Sequence, residues 1–147
     1  MDKPAVMIVC ADSAEQAKIS QMIPGSEIEV HLAGSGEEAI VKLLREPVNL
    51  VISDFSLVGI NGLVLAERVK ELFFGVKCLI MVEREEMRYF LKAIKGKTRF
   101  FPIIYKPLNP EVFLGIARKL IQLTPAREEI LFKESPLASL TKIAGKR

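Results

Sequence analysis

Five short stretches of mainly apolar residues recur along the chain and alternate with stretches of helical spacing. The predicted strands cover residues 5–10, 27–32, 50–53, 77–82 and 100–105. The third and fourth strands are apolar on consecutive positions, which is typical of strands that are covered on both faces. The second strand alternates more strongly, so we expect it at an edge. Strands that alternate with helices in this way predict a parallel sheet.

Apolar residues spaced three and four apart predict a helix after each strand, and turn residues mark the boundaries. Pro24-Gly25 follows the first helix and Pro47 the second, while Asn109-Pro110 supplies a cap and a first position for the fifth. The predicted fold is therefore α/β, a doubly wound (βα)5 unit of the flavodoxin-like kind with strand order 2-1-3-4-5. Such folds place their functional site beyond the carboxyl ends of the strands.

The length of 147 residues, with 50% hydrophobic and 27% charged residues, is typical of one globular domain and argues against disorder. We assign residues 1–123 to this domain and residues 124–147 to a C-terminal extension. Thr124-Pro125 resembles a new helix start, so the extension is predicted to hold a short helix over residues 127–133. A mobile, basic tail is predicted from residue 134.

Composition excludes several classes of function. No apolar run approaches the roughly 20 residues that a bilayer helix needs, and no signal peptide precedes the first strand, so we expect a cytoplasmic protein without membrane partners. The net charge of +3 is too small to indicate nucleic-acid binding. Cys10 and Cys78 lie inside apolar strands, which favours buried, reduced thiols.

A carboxylate at the end of the third strand, Asp54, is the first candidate for chemistry. It lies within residues 48–62, which read VNLVISDFSLVGING; residues 31–39 read HLAGSGEEA, and Lys106-Pro107 follows the fifth strand. Together these segments resemble the receiver domains of two-component response regulators, the CheY-like family, over residues 5–122. Taken alone, Asp54 could equally be a simple cap of a helix or turn.

The resemblance implies specific roles. Asp54 would accept a phosphoryl group from a histidine kinase or phosphotransfer protein, with Mg²⁺ as cofactor. Lys106 would contact the phosphate, and the backbone carbonyl of Ser56 would bind the metal beside Asp54. These residue types suit the reaction, because a carboxylate can attack phosphorus only where cations offset the negative charge of both reactants.

Several positions depart from the family pattern. Cys10 and Ala11 stand where the family has two acidic metal ligands, which predicts weak Mg²⁺ binding. Asp12 is a tentative replacement ligand, although it fits equally well as the N-cap of the first helix. Val82 replaces the hydroxyl residue of the family's switch and cannot donate its hydrogen bond. Ile103 replaces the aromatic switch residue, so the receiver is predicted to be atypical.

Two functions follow as hypotheses. The first is a signalling switch that passes phosphorylation of Asp54 to a downstream effector through the surface of helix four, strand five and helix five. A homodimer through that surface is also expected. The alternative is a pseudo-receiver, a protein-binding module that works without phosphorylation. Neither is an enzyme beyond slow self-dephosphorylation.

Two further features are assigned no function. His31, the only histidine, ends the second strand at the sheet edge, and we expect it to face solvent away from the site. Residues 123–131 resemble the opening of a LuxR-type helix-turn-helix, but only 16 residues follow them. That length is too short for a recognition helix, so no nucleic-acid partner is expected.

Overall fold

Every predicted strand is present in the structure, a computed structural model that describes residues 3–132. The strands are β1 (Ala5–Val9), β2 (Glu29–Ala33), β3 (Leu50–Asp54), β4 (Phe73–Phe74), β5 (Lys77–Val82), β6 (Ile103–Tyr105) and β7 (Leu131–Phe132). The helices are α1 (Ser13–Gln21), α2 (Gly36–Arg45), α3 (Gly62–Leu72), α4 (Met87–Ile94) and α5 (Pro110–Gln122). None of these helices is both long and apolar enough to cross a membrane.

The main sheet has five parallel strands in the order β2-β1-β3-β5-β6. This confirms the predicted order 2-1-3-4-5, because the unforeseen two-residue strand β4 lies outside the main sheet and shifts the numbering by one. The edge position of β2 is also confirmed. The last strand begins three residues later than predicted, at Ile103, although the carbonyl of Pro102 already accepts a hydrogen bond from Ile80 at 3.0 Å.

Successive residues of β1 face opposite sides of the sheet, as the pleat requires, and thereby belong to two separate cores. Val6 and Ile8 pack with α1 and α5, whose contributions are Ile19, Phe113 and Ala117. Ala5, Met7 and Val9 belong to the other core, which α2, α3 and α4 cover through Ala39, Leu43, Leu63, Leu65, Ala66, Val69 and Phe90. The unbroken apolar run in β1 therefore serves both faces.

Side-chain caps fix where four helices begin. Asp12, Ser35, Asn61 and Asn109 each accept a hydrogen bond from a backbone N–H in the first turn of α1, α2, α3 and α5, respectively. Such caps satisfy donors that have no partner within the helix. Because three of these helices follow β1, β3 and β6, the caps also fix the loops at the carboxyl ends of those strands, which we call the carboxyl edge.

The C-terminal extension packs on the opposite end of the sheet, the amino edge. Where a short helix was predicted over residues 127–133, the structure has a single 3₁₀ turn, Arg127–Glu129, followed by β7. β7 pairs antiparallel with β4. Strand pairing satisfies the backbone that the helix would have satisfied internally, which accounts for the difference. The predicted mobile tail lies outside the described residues.

Candidate functional site

Asp54 is the last residue of β3 and lies at the carboxyl edge with only 9% of its surface exposed. Its backbone is held tightly: the hydroxyl of Ser53 donates to the carbonyl of Asp54 at 2.8 Å, and the N–H of Gly62 donates to the carbonyl of Phe55 at 2.7 Å. A Cβ atom on Gly62 would lie 2.2 Å from the Asp54 carbonyl oxygen. The close approach of α3 to the end of β3 therefore requires glycine at position 62.

Lys106 follows β6 and reaches this carboxylate. Its Nζ lies 2.5 Å from Asp54 Oδ1, and it also contacts the carboxylate of Glu15, which extends from the first turn of α1. The contact with Asp54 is an ion pair that lacks hydrogen-bond geometry, so Asp54 Oδ1 is the one buried side-chain oxygen or nitrogen among the described residues without a hydrogen bond. Two carboxylates therefore share one ammonium group.

Burial and charge shift the pKa of these groups in ways that fit this shared arrangement. Burial raises the pKa of Asp54 above its usual range, and the nearby Lys106 offsets only part of that effect. Burial alone would lower the pKa of Lys106, but Asp54 and Glu15 raise it above its ordinary value. Burial, followed by the charge of Asp54, raises the pKa of the Cys10 thiol. Cys10 is consequently a neutral thiol beside the carboxylate.

A cavity of about 210 Å³ opens onto Asp54. Its lining includes five carboxylates and one ammonium group; the lining residues are Ala11, Asp12, Glu15, Asp54, Ser56, Glu83, Glu86 and Lys106. A wider cleft of about 950 Å³ shares Asp12, Glu15, Glu83 and Lys106 with it and leads to solvent. Both sizes admit a small phosphorylated molecule or the side chain of a partner protein.

The donor atoms at this cavity do not form a ready-made Mg²⁺ site. The Asp12 Oδ1 accepts hydrogen bonds from the N–H groups of Ala14 at 2.9 Å and Glu15 at 3.2 Å, the capping role anticipated as its alternative. Cys10 is buried and neutral, Ala11 offers no ligand, and Lys106 already faces Asp54. Over residues 3–130, no three His, Cys, Asp or Glu side chains converge at Asp54 as metal ligands would. The residues around Asp54 therefore lack the converging oxygen ligands that a tightly bound Mg²⁺ needs.

Val82 and Ile103, the two altered switch positions, lie near the site through their strands. Val82 is fully buried at the end of β5, and its carbonyl accepts a hydrogen bond from the Lys106 N–H at 3.0 Å. Ile103 is half-buried and packs against the core of α2, α3 and α4. Neither side chain can offer a hydrogen bond to an added phosphoryl group.

Sequence reasoning missed three glutamates that line this cavity, Glu15, Glu83 and Glu86, and only Glu15 contacts Lys106. It stands 91 positions before Lys106, and only the fold brings the two together. A weak indication was available, because acidic residues are common in the first turn of helices, where they interact favourably with the helix dipole. That explanation would have accounted for Glu15 without any role at the site.

A second group of potential ligands lies away from Asp54, on β2 and just after α2. His31 contacts Glu29 at 2.6 Å and Glu46 at 3.4 Å, and Arg127 contacts Glu29 at 2.7 Å. The side chain of His31 is 22% exposed, so it is more buried than the prediction of a solvent-facing histidine implied. The guanidinium group of Arg127 already balances one of the two carboxylates, so the cluster serves to attach the C-terminal extension to β2.

Comparison with known proteins agrees with this geometry. The family model of the response regulator receiver domain matches residues 6–118. The chain belongs to this family. It is 32% identical over 94 residues to the transcriptional activator protein ExaE of Pseudomonas putida, covering 64% of this chain and 43% of ExaE. It is 29% identical over 110 residues to the Fimbriae Z protein of Salmonella typhimurium, covering 73% and 52%.

The receiver chain therefore spans about half, or less, of these curated relatives. Solved structures share its fold. A response regulator receiver domain protein (CheY-like) from Methanospirillum hungatei has a TM-score of 0.66 at 27% identity, covering 83% of this chain and 97% of that one. A two component transcriptional regulator AraC from Clostridium phytofermentans has a TM-score of 0.72 at 20% identity, covering 82% and 95%.

Proposed function

We propose that this receiver accepts a phosphoryl group on Asp54 and passes the change to a partner protein. The observation that carries the proposal is the buried Asp54 carboxylate, which faces Lys106 at 2.5 Å and opens onto a cavity of about 210 Å³. The carboxylate is the nucleophile, and Lys106 supplies positive charge for the phosphoryl oxygens. A histidine kinase or phosphotransfer protein is the proposed donor.

The partner of Asp54 Oδ1 supports this role, because it is the Lys106 cation and not a backbone donor of the kind that holds a structural carboxylate. Buried carboxylates in folded proteins are usually satisfied, because an unmet acceptor in a low-dielectric setting costs free energy. The Asp54 oxygen that faces Lys106 can attack phosphorus once this ammonium group turns to the phosphoryl oxygens. The partner-binding surface and a homodimer through α4, β6 and α5 remain predictions, and so does the cytoplasmic location.

The second candidate is a pseudo-receiver that binds a partner without phosphorylation. Two observations favour it. Asp12 caps α1, and Cys10 and Ala11 provide no carboxylate at the positions of the family's acidic pair. Val82 adds to this, since it cannot follow a phosphoryl group. The two candidates differ in one measurable property, the reactivity of Asp54.

The test is intact-mass analysis after incubation with acetyl phosphate, for the wild type and Asp54→Asn, each with and without Mg²⁺. Asparagine keeps the shape of the side chain and removes the nucleophile. We expect a phosphoryl adduct in the wild type and none in the variant. No adduct in the wild type at saturating acetyl phosphate and Mg²⁺ would favour the pseudo-receiver.

A matched variant, Asp12→Asn, examines the tentative metal ligand in the same assay. Asparagine is as good an N-cap as aspartate, so α1 is retained while the carboxylate charge is removed. Because the donor atoms do not converge as a Mg²⁺ site, we expect the adduct to form with little dependence on Mg²⁺ and equally in this variant. A strong stimulation of the wild-type reaction by Mg²⁺ that is lost in Asp12→Asn would contradict this expectation and show that Asp12 binds the metal.

A further inference from the structure

The ammonium group of Lys106 stands between carboxylates from two different elements. Asp54 ends β3, whereas Glu15 lies in the first turn of α1, and Lys106 contacts both. The lysine side chain is only 11% exposed and Asp54 13%, while Glu15 remains 36% exposed. One positive charge therefore faces two negative charges in a partly dehydrated pocket, where electrostatic interactions are stronger than in water.

We propose that Glu15 is a positioning residue that restrains Lys106 in the resting protein and thereby slows phosphoryl transfer to Asp54. The proposal rests on the phosphoacceptor function proposed above and adds a means of regulating it. Glu15 belongs to the helix that follows β1, so movement of the first turn of α1 would change the strength of the restraint.

The chemistry explains why Glu15 opposes the reaction. A carboxylate oxygen of Asp54 attacks the phosphorus of an acyl phosphate and forms the new O–P bond. The bond from phosphorus to the donor's carboxylate oxygen breaks, and the donor leaves as a carboxylate with the electron pair, so no proton or oxidant is needed. Lys106 is the only cation among the described residues that line the smaller cavity, and it must turn to the phosphoryl oxygens.

That turn separates Lys106 from Glu15. The Glu15 carboxylate would then lie, without its counter-ion, beside a newly arrived phosphoryl group that carries negative charge of its own. Like charges at such short range repel, and the ion pair that is lost had been shielded from water on the Lys106 side. The other nearby glutamates compete less for Lys106, because Glu83 and Glu86 cap the 3₁₀ turn Arg84–Glu86 through each other's backbone.

The experiment compares the rate of phosphorylation by acetyl phosphate in the wild type, Glu15→Gln and Glu71→Gln, without added metal. Glu71 lies at the far end of α3, so its variant removes the same charge away from the site. We expect Glu15→Gln to react faster by on the order of tenfold, which corresponds to about 1.4 kcal/mol, and Glu71→Gln to match the wild type. Circular dichroism verifies that each variant is folded.

A second readout does not depend on phosphorylation. Nitrogen-15 NMR of the lysine ammonium groups measures how fast the Lys106 protons exchange with water, with Lys106→Gln identifying the signal. Release of Lys106 from Glu15 should speed this exchange in Glu15→Gln and leave it unchanged in Glu71→Gln. A merely structural role for Glu15 in α1 would not change the exchange of this one group while the helix stays intact.

The outcomes separate the two proposals. If Glu15→Gln reacts more slowly than the wild type, or if neither its rate nor the exchange of Lys106 changes, the restraint is wrong. If no variant is phosphorylated but exchange accelerates in Glu15→Gln, the restraint on Lys106 stands and the phosphoacceptor function falls. Faster reaction together with faster exchange supports both.

Discussion

The two edges of the sheet treat a buried polar side chain in opposite ways. At the amino edge, Asn49 is 2% exposed, and every polar atom of its side chain has a partner. Its Oδ1 accepts from the Ala5 N–H at 2.9 Å, and its Nδ2 lies 3.0 Å from the Thr124 hydroxyl and 3.2 Å from the Pro125 carbonyl. At the carboxyl edge, Asp54 is 9% exposed, and its Oδ1 is held by the ion pair with Lys106 at 2.5 Å and not by a hydrogen bond of ordinary geometry.

This difference distinguishes a structural polar residue from a reactive one without reference to any family. A satisfied amide such as Asn49 joins β1, β3 and the C-terminal extension, and it gains stability from doing so. A buried carboxylate such as Asp54, whose partner is a single cation, is costly to bury and has a raised pKa, a combination that is typical of functional sites. The comparison therefore predicts that replacing the Asn49 side chain changes mainly the free energy of unfolding, whereas replacing the Asp54 side chain changes mainly reactivity.

The largest expected effect is on the free energy of unfolding, and it is expected at Gly62, where the carboxyl edge has no room for a side chain. Gly62→Ala would place a Cβ atom 2.2 Å from the Asp54 carbonyl oxygen, and a backbone atom cannot move aside cheaply. We expect a loss of about 3 kcal/mol in the free energy of unfolding, measured by urea denaturation, together with lower reactivity of Asp54. This result would show that the backbone at the end of β3 is tightly packed against α3.

A matched substitution exists at Gly115 in the middle of α5, where an added Cβ meets nothing within 4 Å. Because alanine favours a helix over glycine, Gly115→Ala should stabilise the protein by about 0.5–1 kcal/mol. If both variants changed the free energy of unfolding alike, the close approach at Gly62 would not be the cause.

The next effect concerns the amino edge. Asn49→Ala leaves the buried Ala5 N–H without its acceptor, so we expect a loss of about 2 kcal/mol in urea denaturation. The reactivity of Asp54 in the folded protein should not change. A double-mutant cycle with Thr124→Val measures how much of the loss comes from the contact with the extension. Loss of Asp54 reactivity in Asn49→Ala would contradict the separation of the two edges.

The smallest expected effect is on the pH dependence of stability. Since burial raises the folded-state pKa of Asp54 above its ordinary value of 3.8, the stability that Asp54 contributes is full below that value and is lost as pH rises through the folded pKa. Asp54→Asn has no such loss, so its advantage over the wild type should appear as pH rises toward neutrality. Urea denaturation of both proteins over a pH series measures this.

The opposite result is equally informative. If Asp54→Asn were less stable than the wild type near neutral pH, the ion pair with Lys106 would outweigh the cost of burying Asp54. Asp54 would then be a stabilising residue like Asn49, and the contrast between the edges would not hold.

Local patterns predicted most of the fold because their physical cause is local. The unbroken apolar runs of β1, β3 and β5 required cover on both faces, and the caps Asn61 and Asn109 fixed where α3 and α5 begin. The short strand β4 was missed, because two residues carry no period. The helix predicted over residues 127–133 was wrong for a different reason. Thr124-Pro125 does mark the end of α5, but the residues that follow pair with β4 and do not continue as a helix.

The sequence by itself determined the alternation of strands and helices along the chain, the positions of Asp54 and Lys106 at strand ends, and the presence of Cys10 and Ala11 directly after β1. Those properties depend on residue type and on neighbours within a few positions. Only the tertiary structure decided that Lys106 is shared with Glu15 across 91 positions and that Asn49 is satisfied by the C-terminal extension. The energy of an ion pair or a hydrogen bond depends on the distance between its two groups in space. That distance cannot be read from their separation along the chain, because it is set only when the sheet assembles.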